Sequence, residues 1–388
     1  MEIKLITSES VTEGHPDKVC DQISDGILDE MLKSDPASRV AVESFATNGM
    51  IVIGGEVSTK NYVQVDTIVR RVLKGIGYDG ADSGFDCDSV GIMSSLHAQS
   101  AEIAQGVDEG AGEYKEQGAG DQGLMYGYAT NETKELMPLP ITLAHKLSFK
   151  LAQVRKNKTL AYLRPDGKSQ VTVEYHNGVA KRVETVVIAA CHSEKVKLAK
   201  VRADILTKVI KPVLGNLLDK KTKVYINSTG AFTFGGPAAD TGLTGRKIIV
   251  DTYGGVARHG GGCFSGKDSS KVDRSGAYMA RYVAKNVVAA GLADRCELQV
   301  AYAIGVARPV GIYIDTFGTN KYADKIILAA IEHVFDFRPK AIIDHLELKK
   351  PVFLKTAAYG HFGRPEFRWE KTDKVAELKK AVQSAGKK

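Results

Sequence analysis

Three times along the chain, a run of apolar residues at helical spacing leads into two short β-rich runs about a turn and then into a second helix. The first helix spans about 16–32, where Val19, Ile23, Ile27 and Met31 recur at four-residue steps behind Pro16, a residue suited to the first helical turn. Strands follow at 39–46 and 50–57, flanking Asn48-Gly49, a dipeptide favoured in tight hairpin loops, and a helix comes near 62–74. The pattern returns with a helix opened by Pro140 (Ile141, Ala144, Leu147, Leu151, Val154), strands around His176-Asn177-Gly178 and a helix near 196–218. The third instance is a helix at 275–290, strands near 296–303 and 310–316, and a helix at 322–335 with Ala323, Ile327, Ala330 and Val334 aligned. Such triplication predicts an α+β layered fold of three similar units, each a sheet covered by helices, rather than strict β-α-β alternation. No G-x-G-x-x-G follows a first strand, so a dinucleotide site has no support. The glycine-rich stretches 106–127 and 254–266 fall between units and read as mobile loops.

Composition sets the outer bounds. At 388 residues, 43% hydrophobic and 26% charged, the chain is an ordinary globular protein of two or three domains. Its net charge of +7 reads as a mildly basic solvated surface, and neither a nucleic-acid nor a membrane partner is expected. Five scattered cysteines without a C-x-x-C pair suggest no zinc cage or disulfide scaffold and fit a reducing cytoplasm. The first ten residues lack the basic start and apolar stretch of a signal peptide, and no segment is apolar enough to span a bilayer.

Several segments can carry chemistry. Gly14-His15-Pro16-Asp17-Lys18 enters the first helix, where free backbone donors and the positive dipole end suit a phosphate, and Asp17 could hold magnesium against it. A two-residue loop at Asn48-Gly49 pairs positions whose numbers sum to 97, which puts Glu43 opposite Gly54 and Glu56 opposite Ala41. Both carboxylates then lie on one face as diagonal neighbours, roughly 7–8 Å apart at the backbone, where they could serve a cation or an ammonium group. Gly245-Arg246-Lys247 precedes Ile248-Ile249-Val250, read as a strand, and Gly260 to Asp268 adds Lys267 to a glycine loop; polyphosphate is the natural partner. That loop nearly matches a P-loop, but Asp268 stands where Ser or Thr should hold magnesium, so the P-loop reading is rejected. Lys271 and Asp273 offer a second cation and a second metal carboxylate, and Phe232, set among small residues, could stack on a base. Neither a zinc motif nor a G-x-S-x-G elbow occurs.

Ser8 to Lys18, Gly118-Ala119-Gly120-Asp121-Gln122-Gly123, and Gly260 to Ser275 resemble the S-adenosylmethionine synthetases (methionine adenosyltransferases), and the resemblance runs almost end to end. It implies three interleaved domains, with bounds at 1–101, 115–232 and 233–375, in a cytoplasmic homodimer or homotetramer. It further implies that the sulfur of L-methionine attacks the 5′ carbon of ATP, and that the expelled triphosphate is cleaved to pyrophosphate and phosphate. A thioether carries no proton, so no general base is needed, and stabilising the departing charge becomes the main task. Carried over by position, His15, Lys267, Arg246 and Lys271 resemble the catalytic set. ATP-site positions are matched by His15, Asp166, Gly167, Lys168, Ala231, Phe232, Arg246, Lys247, Cys263 and Lys267. Glu56, Gln99, Asp240 and Lys271 match methionine-site positions. Asp17 and Asp273 resemble the magnesium ligands (two Mg2+ per site) and Glu43 the potassium ligand (one K+), while Asp121 belongs to the glycine motif at the site. Gln99 to Asp108 resembles a mobile loop that gates it.

Three positions depart from the family's usual residues: Ser228, Ala231 and Cys263 stand where Pro, Arg and Ala are common. Loss of an arginine beside Phe232 implies a roomier nucleotide or methionine-analogue pocket. An ATP-dependent kinase and an inactive nucleotide-binding homologue are the alternatives.

Overall fold

A computed structural model describes residues 2–80, 84–98 and 116–385. In chain order its main elements are β1 (Ile3–Val11), α1 (Pro16–Ser34), β2 (Arg39–Thr47), β3 (Met50–Ser58), α2 (Val65–Ile76), β4 (Gly91–His97) and β5 (Gly123–Thr130). There follow α3 (Leu139–Lys156), β6 (Leu163–His176), β7 (Val179–His192), α4 (Leu198–Ile205), α5 (Lys211–Leu214), β8 (Lys223–Ile226) and β9 (Gly242–Leu243). The C-terminal part contains α6 (Ile248–Asp251), α7 (Val272–Ala289), β10 (Arg295–Tyr302), β11 (Gly311–Asp315), α8 (Asp324–Val334), α9 (Pro339–His345) and α10 (Val375–Ala385).

The repetition read in the sequence is present as three mixed-layer units. Each sheet is built on one antiparallel hairpin: β2–β3, β6–β7 and β10–β11. Beside the first strand of each hairpin lies an antiparallel strand from elsewhere in the chain, giving the orders β4-β3-β2-β9, β1-β6-β7-β8 and β11-β10-β5. The strand exchange is cyclic. The first stretch of chain lends β1 to the second sheet, the second lends β5 to the third, and the third lends β9 to the first. Two apolar cores result: α3, β6, β7 and α4 pack on their own, whereas the first and third units share one continuous core around α1 and α7.

The first hairpin has the expected register, with Thr47 opposite Met50, Glu43 opposite Gly54 and Ala41 opposite Glu56. In the second hairpin Asn177 and Gly178 both have positive φ (48° and 81°), the left-handed pair that a tight two-residue hairpin loop demands.

Two readings are corrected. Ile248-Ile249-Val250 is not a strand but most of the one-turn helix α6, closed by the Asp251 N–H on the Lys247 carbonyl and held by the buried Asp251 side chain. Among the described residues, most glycines of 118–127 and 254–266 mark close packing rather than mobility, whereas Gly255 and Gly261 face open space; residues 106–115 lie outside the described residues. Gly123 to Gly127 lie in β5, and a Cβ on Gly127 would stand 2.0 Å from the backbone of Ala280 in α7. Gly254 is buried against Ser8 and Ile141, and Gly266 accepts from the Val42 N–H.

β1 and α3 meet through Ser10 Oγ and His145 Nδ1 at 2.8 Å, while His145 Nε2 is buried without a partner. Burial pushes the His145 ring pKa down to about 3. The unfolded chain takes up this proton near pH 6.5 and the folded chain does not until about 3, so the histidine costs stability increasingly as pH falls through that window. Relative to the parent, His145→Gln is expected to lose about 2 kcal/mol less stability between pH 7 and pH 5. Urea midpoints of the two proteins at both pH values measure this; an equal loss in both would remove His145 from the acid response. Among the described residues, no helix is long and apolar enough to cross a membrane.

Candidate active site

The loop between β1 and α1 delivers His15 as the N-cap of α1, where its Nδ1 accepts from the Asp17 N–H at 3.2 Å. The ring proton therefore sits on Nε2, available to donate. Burial, followed by the nearby Lys247 and Lys168, lowers the His15 pKa to about 3, so the ring is neutral at working pH. The same loop is tied to the start of β6: the Thr12 N–H donates to the Gly167 carbonyl at 2.9 Å, and a Cβ on Gly14 would stand 2.4 Å from the Pro165 backbone. This places Asp166, Gly167 and Lys168 beside His15. Asp166 Oδ2 accepts from the Gly236 N–H at 2.8 Å, Oδ1 is buried without a partner, and burial raises the carboxyl pKa to about 6. Gly235 lies between that carboxylate and the half-buried Phe232 ring, each about 3 Å from where its Cβ would be. Asp17 Oδ1 accepts from the Leu243 N–H at 3.0 Å and Oδ2 from Lys247 Nζ at 2.5 Å; burial opposes its ionisation, but these partners outweigh it and hold the pKa below the usual range.

A second cluster forms on the outer face of the first sheet. Residues 266–268 run along β2, with Val42 N–H on the Gly266 carbonyl, Asp268 N–H on the Val40 carbonyl, and Lys267 opposite Ala41. Because Ala41 is also opposite Glu56, Lys267 shares the face that carries Glu56 and Glu43. Lys267 Nζ pairs with Asp273 Oδ2 at 2.6 Å and also feels Cys263 and Asp121. Cys263 packs on Gly245, where a Cβ would stand 2.6 Å from its own, and burial pushes its thiol pKa up. That contact joins the two clusters, since Gly245 leads directly into Arg246 and Lys247. Lys271 Nζ is held by Asp268 Oδ2 at 2.5 Å, at the edge of this cluster. Glu56 is 3.5 Å from His97. Asp240 lies near enough to Asp166 to raise its pKa, whereas Ala231 and Arg246 are exposed beside the clusters and Ser228 is exposed as well. Gln99 and the loop to Asp108 lie outside the described residues.

Lys18, which the sequence places beside His15, turns inward instead, fully buried between Asp21 (2.9 Å) and Asp251. A cation at the third position of the helix faces the core because its first turn is covered on all sides. Asp17 belongs to a stripe of four acids on α1, of which sequence reasoning missed the other three as site supports. Asp17, Asp21, Asp25 and Asp29 follow one another at four-residue steps, and each receives backbone N–H groups from a different part of the C-terminal half. The donors are Leu243, Gly245 and Gly266 in turn for the first three, then Phe353 with Leu354 for Asp29. Asp25 also binds the buried Arg274 through two bonds, at 2.7 and 2.9 Å. The acidic stripe lies opposite the stripe Val19, Ile23, Ile27, Met31 and so reads as a solvated face. Its spacing was the only signal that could have marked it.

Family models for the N-terminal, central and C-terminal domains of S-adenosylmethionine synthetase match residues 3–101, 116–232 and 234–371. The chain is 57% identical to the S-adenosylmethionine synthase of Clostridium botulinum, over 98% of this chain and 100% of that one. It is 57% identical to the protein of the same name from Sorangium cellulosum (96% and 88% covered) and 55% identical to that from Treponema denticola (98% and 99%). Matches of this extent, on a chain whose three sheets carry the two joined clusters, establish that it belongs to the S-adenosylmethionine synthetase family.

Proposed function

We propose that the chain makes S-adenosyl-L-methionine from ATP and L-methionine, by attack of the methionine sulfur on the 5′ carbon, and then hydrolyses the triphosphate to pyrophosphate and phosphate. The observation that carries this reading is the pairing of a lysine with a carboxylate in both clusters, Lys247 with Asp17 and Lys267 with Asp273. Each lysine has a partner to leave when phosphate arrives, and each carboxylate is then free for a hard cation. Cys263, with its thiol pKa raised, is poorly suited to act as a nucleophile, which agrees with a reaction that needs none.

In this reading neutral His15 donates from Nε2 to the oxygen that leaves C5′, and Arg246, Lys247, Lys267 and Lys271 hold the departing chain. Asp166, Gly167, Lys168, Ala231 and Cys263 line the ATP site, with Phe232 under the adenine. Glu56, Gln99, Asp240 and Lys271 receive methionine, and Asp121 borders the site. The donor set fits metal: a Cβ on Gly262 would stand 2.2 Å from Asp273 Oδ1, so the glycine keeps that carboxylate oxygen accessible. Asp17 and Asp273 would hold two magnesium ions and the exposed Glu43 one potassium ion. Bound magnesium would neutralise phosphate charge.

The domain bounds are placed at 1–101, 115–232 and 233–375, crossed by the exchanged strands. A homo-oligomer, dimer or tetramer, is favoured because Leu5, Met93, Leu124 and Tyr313 are exposed on strands from all three sheets. A cytoplasmic location completes the reading.

One reaction containing ATP, methionine, magnesium and potassium, resolved by chromatography and mass, tests the function. Methionine-dependent S-adenosylmethionine with matching pyrophosphate and phosphate is expected; ADP as the sole product would overturn the reading in favour of a kinase or ATPase. Ala231→Arg fills space beside Phe232 and is expected to lower kcat/KM for bulky S-alkyl homocysteines by about tenfold relative to methionine, a difference of about 1.4 kcal/mol. Unchanged selectivity in competition assays would show that the pocket is no roomier.

A further inference from the structure

The surplus of positive charge is not spread over the chain. Residues 181–223 hold eleven lysines and arginines against four acids, so this one stretch carries the whole +7 and the rest is balanced. In the fold it supplies two layers of the second unit with the core between them: most of β7 and the start of the edge strand β8 in the sheet, and, packed on it, the helical run from α4 through a π turn (Leu206–Ile210) into α5, which carries the lysine face. The apolar side of the run, including Val201, Ile205, Val209 and Leu214, is buried in the second core. Lysines are therefore left on the outside, with Lys197, Lys200, Lys208 and Lys211 exposed along the run and Lys220 and Lys221 exposed beyond its end. From Lys197 to Lys211 the track is about 21 Å long at a helical rise per residue.

The acids that would neutralise this face are already engaged. Asp219 pairs with Arg182, Glu184 with Lys223, and Asp204 with Lys200 and the Tyr162 hydroxyl. Arg202 donates to the carbonyls of Ile226 and Asn227. Only Glu194 is uncommitted among the four, against seven lysines between Lys181 and Lys221 that have no ion-pair partner among the described residues.

We propose that this face binds nucleic acid through its phosphodiester backbone, without reading bases. Free ammonium groups contact phosphates as point charges, whereas both arginines, whose forks could read guanine, are engaged. None of the large exposed apolar side chains falls between Lys197 and Lys221, so the helical lysine track itself has no platform for base stacking, and exposed Tyr225 lies beyond it on β8. The same absence disfavours a lipid surface, because a membrane-lying helix turns its apolar side to the lipid and here that side is in the core. The inference departs from the expectation that +7 is a diffuse solvated surface. It does not depend on the reaction, since none of these lysines belongs to the site.

Fluorescence anisotropy of the full chain with a labelled single-stranded RNA of about 20 nucleotides, in KCl from about 50 to about 200 mM, provides the test. With about four phosphates neutralised, log K should fall with log salt at a slope of about −3, or roughly 60-fold over that range. The double variant Lys208→Glu, Lys211→Glu should bind at least about tenfold more weakly with a shallower slope, while product formation and melting temperature stay at parental values. Lys379→Glu with Lys380→Glu, exposed on α10, should change nothing. No binding at the lowest salt, equal losses in the two double variants, or binding to vesicles of anionic phospholipid without binding to RNA would each overturn the proposal.

Discussion

Replacing Lys267 with methionine is expected to lower the rate of S-adenosylmethionine formation by about 10²–10³-fold, the range for losing one preorganised group that stabilises developing negative charge. The substitution keeps a stem of similar length, so packing against the sheet is retained and the ammonium group is what is lost. Burial opposes charge on Lys267, yet Cys263 and Asp273 raise its pKa, so the cation is present when the triphosphate departs. The loss should fall on kcat, with KM for methionine changed by less than about threefold, because an interaction made in the transition state affects turnover rather than ground-state binding. Steady-state kinetics with both substrates varied would measure it; a kcat within fivefold of the parent would remove Lys267 from the departing chain.

Asp25→Ala should destabilise the chain by about 3–5 kcal/mol, because it leaves the Arg274 guanidinium buried without its counter-charge. Arg274 is fully buried, and among the described residues its hydrogen bonds besides those to Asp25 go to neutral groups, Thr356 Oγ1, the Tyr278 hydroxyl and the carbonyls of Phe264 and Lys267, while the nearby Asp29 carboxylate is engaged by the Phe353 and Leu354 N–H groups. Asp25→Asn keeps an acceptor for the Gly266 N–H and should cost less. Adding Arg274→Met to Asp25→Ala should recover part of the loss, since no unpaired charge then remains. Thermal unfolding of the four proteins decides this: equal stability of parent and Asp25→Ala would mean that the pair contributes nothing.

What could be read in the sequence was what local rules govern. Glu43 and Glu56 could be placed on one face because a two-residue turn and a period of two determine the register without any distant partner. The helix from Pro16 was equally plain. β1 was not, because its partner β6 lies some 150 residues away and a lone alternating run announces no neighbour. Lys18 and the acids Asp21, Asp25 and Asp29 of α1 were misjudged or missed for a related reason. Polar residues on a helix imply solvent unless a second layer covers them, and here the covering layer comes from residues 243–266 and 353–354. Three β-branched residues at 248–250 favour a strand by propensity, but the lysine-bound Asp251 next to them settles a helical turn. Within the site, chemistry that depends on residue type could be anticipated, whereas the contact of Gly245 with Cys263 that joins its halves could not.

The cyclic lending of strands has a consequence for how the chain is made. At about 5–20 residues per second, β1 leaves the ribosome roughly ten to thirty seconds before the hairpin it must join. Each sheet in turn waits for chain not yet synthesised: the second for β6, the first for β9, the third for β10. A chain released before Tyr302 therefore retains an open sheet edge, the surface on which intermolecular pairing begins. During this vectorial synthesis a chain ending at residue 101 lacks β9 for the first sheet, and one ending at residue 232 completes the second sheet but still leaves the first without β9 and β5 without β10.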